Sequence, residues 1–234
     1  MGSVLGALAG IAATLAVFAA AKWLAERTRW TVLNPVLVSI AVLIVALRAL
    51  HVPFEAYDCG GRIVGWLLGP AVVALGVPLA AQMDEIVRRA RSILVSIAAG
   101  SACGIAASAG TAAALGGSRA VVLSLVPRAV TTPIALGISE RIGGLPPLSA
   151  ALVIGTGVVG AMIGPPLLRL LGVTSRTAWG LAMGAAAHGI GTARSAEEGE
   201  VEGASAGLAI GLMGIATALL APLAAAIVTW LGIR

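Results

Sequence analysis

The sequence has few charged and few aromatic residues, and this scarcity excludes most classes of soluble protein. Of its 234 residues, 11% are charged and 3% are aromatic, whereas 59% are hydrophobic, and the mean hydropathy is +1.03. A soluble globular domain has about 25% charged residues. The net charge is +5, but the basic residues are scattered along the chain and are not interleaved with aromatic residues. This pattern argues against nucleic acid as a partner. We therefore expect an integral membrane protein.

Metal-ligand and catalytic motifs are missing as well. The two cysteines, Cys59 and Cys103, lie in different segments without metal-ligand or redox spacing, so we interpret them as small apolar packing residues. The sequence contains no HExxH pair. It therefore predicts no enzymatic activity, no metal and no cofactor.

Long apolar runs are present instead, each able to cross a hydrocarbon core about 30 Å thick. They predict an all-α integral membrane protein that forms one domain over 1–234, with an N-terminal helical hairpin (1–51) and a repeat region with broken helices (61–234). We expect about eight transmembrane segments, two or three of them discontinuous, near residues 4–22, 33–50, 61–81, 92–115, 119–139, 147–171, 176–196 and 204–232. Re-entrant hairpins in the third, fifth or seventh segment would change this count.

Basic residues predict the orientation. No basic residue precedes the first segment, whereas Lys22, Arg27 and Arg29 follow it. If the predicted segments are counted, the loop with three arginines in 88–91 lies on the same side of the membrane as that first loop. The positive-inside rule places both loops in the cytoplasm. The N-terminus is therefore predicted to lie outside, with the first segment retained.

Short strings recur at a nearly constant interval. SAALVIG (149–155) matches SAGLAIG (205–211) at an offset of 56, and SILVSIAAG (92–100) matches SAALVIGTG (149–157) at an offset of 57. Either common origin or chance similarity among Ala/Gly/Leu-rich helices explains these matches. If they are repeats, the sequence leaves open whether they are direct or inverted.

The stretch LVPRAVTTPIALGIS (125–139) contains the first candidate site. Pro127 and Pro133 each remove an amide N–H and crowd the preceding turn, so the helix is expected to break there. We predict Thr132, preceded by Thr131, as the N-cap of a new half-helix and Pro133 as its first residue. The free amides at such a helix start favour an anion.

Arg128 adds a positive charge one turn before that helix start. An arginine at mid-bilayer costs about 2.5–3.5 kcal/mol unless it faces protein or water. We therefore predict that Arg128 and the helix start form an anion site. The alternative is that Arg128 extends to the membrane interface.

The stretch AAAHGIGTARSAEEGE (185–200) contains the second candidate site, because a glycine-flanked histidine within a membrane segment indicates function. The offset of 56 aligns its histidine with Thr132, so we expect the two broken motifs to face one substrate. A hydrogen-bonded packing role is the alternative for this histidine. The predicted site residues here are His188, the breaks Gly189 and Gly191, the cap Thr192, and Arg194.

Two further polar features are predicted. The glutamates at 197, 198, 200 and 202 indicate a solvated loop, in which only Glu197, closest to Arg194, is a candidate for pairing or proton coupling. LLGPAVVALGVPLAAQ (67–82) is expected to form a third broken element, because Pro70 and Pro78 interrupt it.

These motifs resemble the LrgB/CidB family. The resemblance runs from about residue 30 to the C-terminus and is carried by NP (34–35), LLGPAVVALGVPL (67–79), VPRAVTTPIALGISERIGGLPPLSA (126–150), GTGVVGAMIG (155–164) and AHGIGTARSAEE (187–198). The family usually has Lys-Ser where this chain has Arg128 and Ala129. The positive charge is kept, whereas the hydroxyl is lost.

The resemblance implies a protein of the bacterial cytoplasmic (inner) membrane and two functions. Bacterial members are antiholin-like or holin-like regulators of murein hydrolase activity and cell lysis, and they work with a smaller LrgA/CidA-type membrane protein. The similar plastid members export glycolate and import glycerate, which implies transport of small carboxylates such as pyruvate by bacterial members too.

A carrier and a holin-associated pore or regulator therefore compete, and the broken helices favour the carrier. We expect the substrate carboxylate at Thr132 and Pro133 near Arg128, with its hydroxyl or oxo end at His188 and Thr192. Alternating access is predicted to move the unit bearing these motifs against the first two segments. The expected partners are a small carboxylate, the lipid bilayer and further copies of the chain.

Overall fold

A computed structural model of the chain describes residues 2–28, 35–67, 70, 80 and 83–233. Every regular element within these residues is a helix, which satisfies the backbone hydrogen bonds of so apolar a chain internally. The chain divides into two compact units, Met1–Ala74 and Leu75–Arg234. The predicted third broken element lies outside the described residues except at positions 67, 70 and 80.

Three helices of the first unit have described bounds, and two of them cross at glycines. A Cβ on Gly60 would meet the carbonyl oxygen of Ala7, and a Cβ on Gly10 would lie 2.7 Å from the carbonyl oxygen of Tyr57. Backbones can approach this closely only where side chains are absent. The helices are α1 (Gly2–Thr28), α2 (Pro35–Ala49) and α3 (Phe54–Trp66).

The second unit contains seven described helices: α4 (Met83–Arg88), α5 (Ala90–Ala114), α6 (Arg119–Leu125), α7 (Thr132–Ile142), α8 (Pro146–Leu170), α9 (Arg176–Glu198) and α10 (Glu200–Trp230). Within the part of the chain that the structure describes, four helices are long and apolar enough to cross a membrane: Gly6–Thr28 of α1, and all of α5, α8 and α10. The chain is thus a helical membrane protein, and the count of eight segments stays a prediction.

Helices α5 and α10 run in the same direction. The hydroxyls of Ser101 and Thr217 lie 3.2 Å apart between them. Apolar clusters on either side follow the same order along both helices: Ile93, Ile97, Ala209 and Met213 near their starts, and Ile105, Ala109, Ala221 and Val228 toward their ends.

Helices α6 and α7 form a helical hairpin, which we call hairpin 1. Helix α6 ends at Leu125 and α7 begins at Thr132, so residues 126–131 form the tip. Beyond α7 the chain returns to α6, because the Leu145 amide donates to Ser124 Oγ (2.7 Å) and Ser149 Oγ donates to the Ser124 carbonyl (2.9 Å).

Helix α9 folds back on itself at His188 and forms hairpin 2. His188 has φ 39° and ψ −127°, which is not helical. A Cβ on Gly191 would meet the carbonyl oxygen of Met183, although residues eight apart in a straight helix are separated by about 12 Å. The two arms, 176–187 and 189–198, therefore lie side by side with His188 at the tip.

The packing around hairpin 2 fixes the direction of its neighbours. On α8, the positions that face Met183 and His188 are Gly164 and Gly157, so α8 is antiparallel to the first arm. On that arm, Gly180 and Gly184 face the Glu202 and Ala206 carbonyls, so α10 is parallel to it. Helix α8 therefore runs opposite to α5 and α10, and the two hairpins enter the unit from opposite ends.

This arrangement bears on two sequence expectations. The predicted segments 119–139 and 176–196 each contain a reversal of the chain, at 126–131 and at His188, as in the re-entrant alternative that the sequence left open. In addition, the offset of 57 relates α5 to α8, which run in opposite directions, so any repeat at this interval is inverted in space.

Candidate functional site

Arg128 lies at the tip of hairpin 1 and is half-buried. Its Nη2 donates to the Gly104 carbonyl at a long 3.4 Å, and its buried Nε has no hydrogen-bond partner. Among the ion pairs of the described residues, none includes Arg128. Gly104 lies near the middle of α5, so an unneutralised guanidinium sits midway along a helix long enough to span a bilayer.

Two clefts meet at Arg128. The first, of about 460 Å³, is lined by the first half of α5, including Ser96 and Gly100, and by the first arm of hairpin 2. The second, of about 560 Å³, is lined by the second half of α5, including Ser108 and Thr111. Arg128 is the charged residue among the described linings of both clefts. It therefore separates two spaces that follow α5 toward its opposite ends.

The break that positions Arg128 has a local cause. Pro127 has no N–H to donate, and the short turns Val126 to Leu123 (3.3 Å) and Arg128 to Leu125 (3.3 Å) replace helical bonds. The N-cap of α7 is Thr131, with φ −69° and ψ 152°, and its hydroxyl accepts no capping hydrogen bond. The prediction of Thr132 as the cap was wrong by one residue, because the helix accommodates Pro133 in its first turn together with Thr132.

The start of α7 packs against α8 and α10. Val130 and Ala135 pack against Val153 of α8, and the Ile134 side chain lies 3.0 Å from the Cβ position of Gly214 on α10. Thr131, Thr132 and Pro133 are not among the described residues that line the clefts at Arg128. Their predicted contact with the substrate stays a prediction.

His188 occupies the tip of hairpin 2 and is 5% exposed. Its Nε2 lies 2.9 Å from the carbonyl oxygen of Val153. Since a carbonyl only accepts, Nε2 carries the hydrogen. Thr192 lies inside the second arm and donates its hydroxyl to the His188 carbonyl at 2.9 Å, so it bonds back into the turn instead of capping a helix.

The two tips therefore meet at Val153 but present different side chains to different spaces. Val153 packs against hairpin 1 through its side chain and against hairpin 2 through its carbonyl. Among the described lining residues of the two clefts, none comes from 188–194. Neither of these two clefts therefore contains both Arg128 and His188 among its described lining residues.

The remaining predicted residues lie at the tip and at the base of hairpin 2. Gly189 has open space at its Cβ position, and Gly191 packs against the first arm. Arg194 pairs with Glu197 (3.0 Å) and with Glu198 (2.7 Å). The charge of Arg194 is thus already balanced, and the residue lies about six residues, or roughly 9 Å of helix, from the tip.

Sequence comparison identifies the family. A sequence model of the LrgB-like family matches residues 14–227. The chain belongs to the LrgB-like family. The "Uncharacterized protein YwbG" of Bacillus subtilis (strain 168) is 36% identical over 209 residues, 89% of this chain and 93% of that protein. The "Antiholin-like protein LrgB" of Bacillus mycoides (strain KBAB4) is 37% identical over 190 residues, 81% of this chain and 83% of that protein. The protein of the same name from Bacillus cereus (strain B4264) matches to the same extent. No solved structure matches the chain.

Two features of this LrgB-like site were missed in the sequence. Small residues at 96, 100, 104 and 108 follow one another at intervals of four and line the clefts, a spacing that places them on one face of α5. Glu202, predicted to be in a solvated loop, lies in the first turn of α10 and is 9% exposed, with Oε1 3.7 Å from Arg176 Nε. Glu202 lies three residues after the N-cap Gly199, at N3 of the helix, where a glutamate is favoured. This position could have predicted that Glu202 belongs to the helix start.

The close packing of His188 against Gly157 in this LrgB-like protein can be tested with a matched control. A Cβ at Gly157 would lie 2.5 Å from His188 Cε1, whereas nothing lies within 4 Å of the Cβ position of Gly155 on the same helix. We expect Gly157→Ala to lower the free energy of unfolding by about 1–3 kcal/mol, as overpacking does. Gly155→Ala should be neutral or stabilising by up to about 1 kcal/mol. Thermal unfolding of both purified variants in detergent measures the difference, and equal effects would contradict this packing.

Proposed function

We propose that this LrgB-like protein carries small organic monocarboxylates, such as glycolate, glycerate or pyruvate, across the membrane by alternating access. The observation that supports the proposal is the unneutralised guanidinium of Arg128 between two clefts. A cation at mid-bilayer depth is costly unless it faces water or a counter-charge. A transient carboxylate supplies that counter-charge through charge-assisted hydrogen bonds.

The two hairpin tips supply the proposed gate. In this proposal α6–α7 and α9 are the fifth and seventh of eight membrane segments, and each enters and leaves on the same side. Both clefts reach Arg128 in this arrangement, and in the proposal movement of the tips where they meet at Val153 closes one cleft at a time. In an intermediate state, residues of both tips complete the proposed substrate site beside Arg128. These residues are Thr131, Thr132, Pro133, His188, Gly189, Gly191 and Thr192.

The base of hairpin 2 has a different role in this proposal. Arg194 pairs with Glu197 and Glu198, and Glu198 also pairs with Arg169 at the end of α8 (3.0 Å). These pairs hold the base while the tip moves, and Glu197 remains the candidate for proton coupling. The proposed setting is the bacterial inner membrane, with the N-terminus outside and a homo-oligomer or an LrgA/CidA-type protein as partner.

An antiholin-like role in regulating murein hydrolase activity is the second candidate. The relatives in Bacillus mycoides and Bacillus cereus are named antiholin-like proteins, which favours this role directly. The carrier depends on the geometry at Arg128 alone. The two roles are compatible if carboxylate flux is what alters lysis.

Reconstitution in liposomes separates these candidates. The purified protein should take up radiolabelled glycolate or pyruvate at a rate that saturates with concentration, and unlabelled substrate inside should accelerate uptake by exchange. Liposomes without protein, and leakage of trapped carboxyfluorescein, are the controls. Dye leakage without saturation would support a pore, and the absence of both uptake and leakage would support a regulator without its own transport.

A further inference from the structure

A third space in the second unit is an apolar groove between α5, α6 and α10. It has a volume of about 350 Å³, and its described lining consists entirely of Ala, Gly, Val, Leu and Ile. Buried Ile105, Ala109 and Val122 form its floor. Leu223, Ile227 and Leu231 on its rim are exposed. In a bilayer this groove faces the hydrocarbon.

The length of the groove matches one leaflet. Its lining extends from Ala102 to Ala113 on α5 and from Leu220 to Leu231 on α10. Eleven helical steps correspond to about 16 Å, half of a hydrocarbon core about 30 Å thick. The groove ends where α5 and α10 end, next to the exposed Trp230. Tryptophan at such a position is typical of the membrane interface.

A positive charge lies at this interfacial end. Arg119 is the first residue of α6, one turn before the floor residue Val122, and its Nη2 reaches Thr229 Oγ1 at 3.4 Å. Thr229 adjoins the lining residue Val228. No carboxylate pairs with Arg119 in the ranges that the structure describes. The guanidinium is therefore available to an anion at the mouth of the groove.

We propose that the groove binds one acyl chain of an anionic phospholipid, whose phosphate pairs with Arg119. The charge distinguishes this ligand from an apolar helix of a second copy, since such a helix would fill the groove but leave Arg119 without a counter-ion. A phospholipid supplies both an acyl chain for the groove and a phosphate for Arg119 at its mouth. This lipid site is separate from Arg128 and stands whether or not the chain transports carboxylates.

The test uses the full-length protein in detergent, delipidated and then titrated with palmitoyl-oleoyl-phosphatidylglycerol or with the zwitterionic phosphatidylcholine of the same chains. Native mass spectrometry counts the bound lipids. We expect the wild type to bind phosphatidylglycerol more tightly, and Arg119→Ala to reduce that preference about fivefold. Arg141→Ala, which removes another exposed arginine at the end of α7, is the matched control and should retain the preference.

A second variant tests the groove itself. Gly110 lines it and has nothing within 4 Å of its Cβ position, so Gly110→Trp should fold while filling the space, and should reduce binding of both lipids. An undiminished preference in Arg119→Ala, or undiminished lipid binding in Gly110→Trp, would overturn the proposal. A lipid-free dimer that Gly110→Trp dissociates would assign the groove to a second copy instead.

Discussion

Replacing Arg128 with alanine is expected to abolish saturable carboxylate uptake without lowering the thermal stability of the protein. Loss of one partner of a desolvated charge pair costs about 2–5 kcal/mol, which lowers the uptake rate at subsaturating substrate at least about thirtyfold. Arg128 makes one long hydrogen bond and leaves Nε unpartnered. Its removal therefore relieves an insertion cost of about 2.5–3.5 kcal/mol, and the unfolding temperature should stay the same or rise.

The combination of lost uptake and retained stability identifies a functional charge. Arg128→Lys keeps the cation but not the planar fork that binds a carboxylate through two hydrogen bonds, so we expect intermediate uptake. Arg141→Ala, at an exposed position on the same hairpin, should transport as the wild type does. Unchanged uptake in Arg128→Ala would remove this residue from the site. Lost uptake with a large fall in unfolding temperature would indicate a structural role.

The breaks in the two hairpins could be predicted from the sequence because their causes are local. Pro127 removes a donor wherever it stands in a helix, and the glycines at 189 and 191 weaken the helix around His188. The direction of the chain after each break could not be predicted. It depends on contacts between distant residues, such as the bond from Leu145 to Ser124 and the approach of Gly191 to Met183.

The position of the second break shows the same limit at a single residue. Flanking glycines adopt positive φ at little cost, yet His188 takes φ 39° while Gly189 and Gly191 remain helical. The hydrogen bond from His188 to Val153 and the space over Gly157 hold the ring in place. Both partners come from α8, so the local sequence around His188 does not reveal them.

The candidate site was predictable in its charge but not in its shape. Arg128 in an apolar segment indicates an unusual cation whatever the fold. The clefts beside it form only because α5, hairpin 1 and hairpin 2 meet there. The predicted convergence of Arg128 with His188 on one substrate stays a prediction: both hairpins contact Val153, and of the two residues Arg128 lines the two clefts.

Among glycine-to-alanine substitutions at the described positions of the second unit, Gly184→Ala is expected to be the most destabilising. A Cβ there would meet the carbonyl oxygen of Ala206 and lie 2.7 Å from its Cα, so the obstacle is backbone that no rotamer change can move. We expect a loss near the upper end of the overpacking range, about 3 kcal/mol. Gly180→Ala should behave similarly, since its Cβ would meet the Glu202 carbonyl. Thermal unfolding in detergent and the yield of folded protein measure the effect.

Gly211 on α10 provides the matched control, because nothing lies within 4 Å of its Cβ position. Gly211→Ala should be neutral or stabilising by up to about 1 kcal/mol through helix propensity. In a bilayer, helices associate through close packing at small residues and gain little from burying apolar surface, so a single methyl group at Gly184 separates α9 from α10. Equal stability of the Gly184 and Gly211 variants would mean that the first arm of hairpin 2 does not lie along α10. The parallel packing of α10 on that arm, and with it the entry of the two hairpins from opposite ends of the unit, would then be wrong.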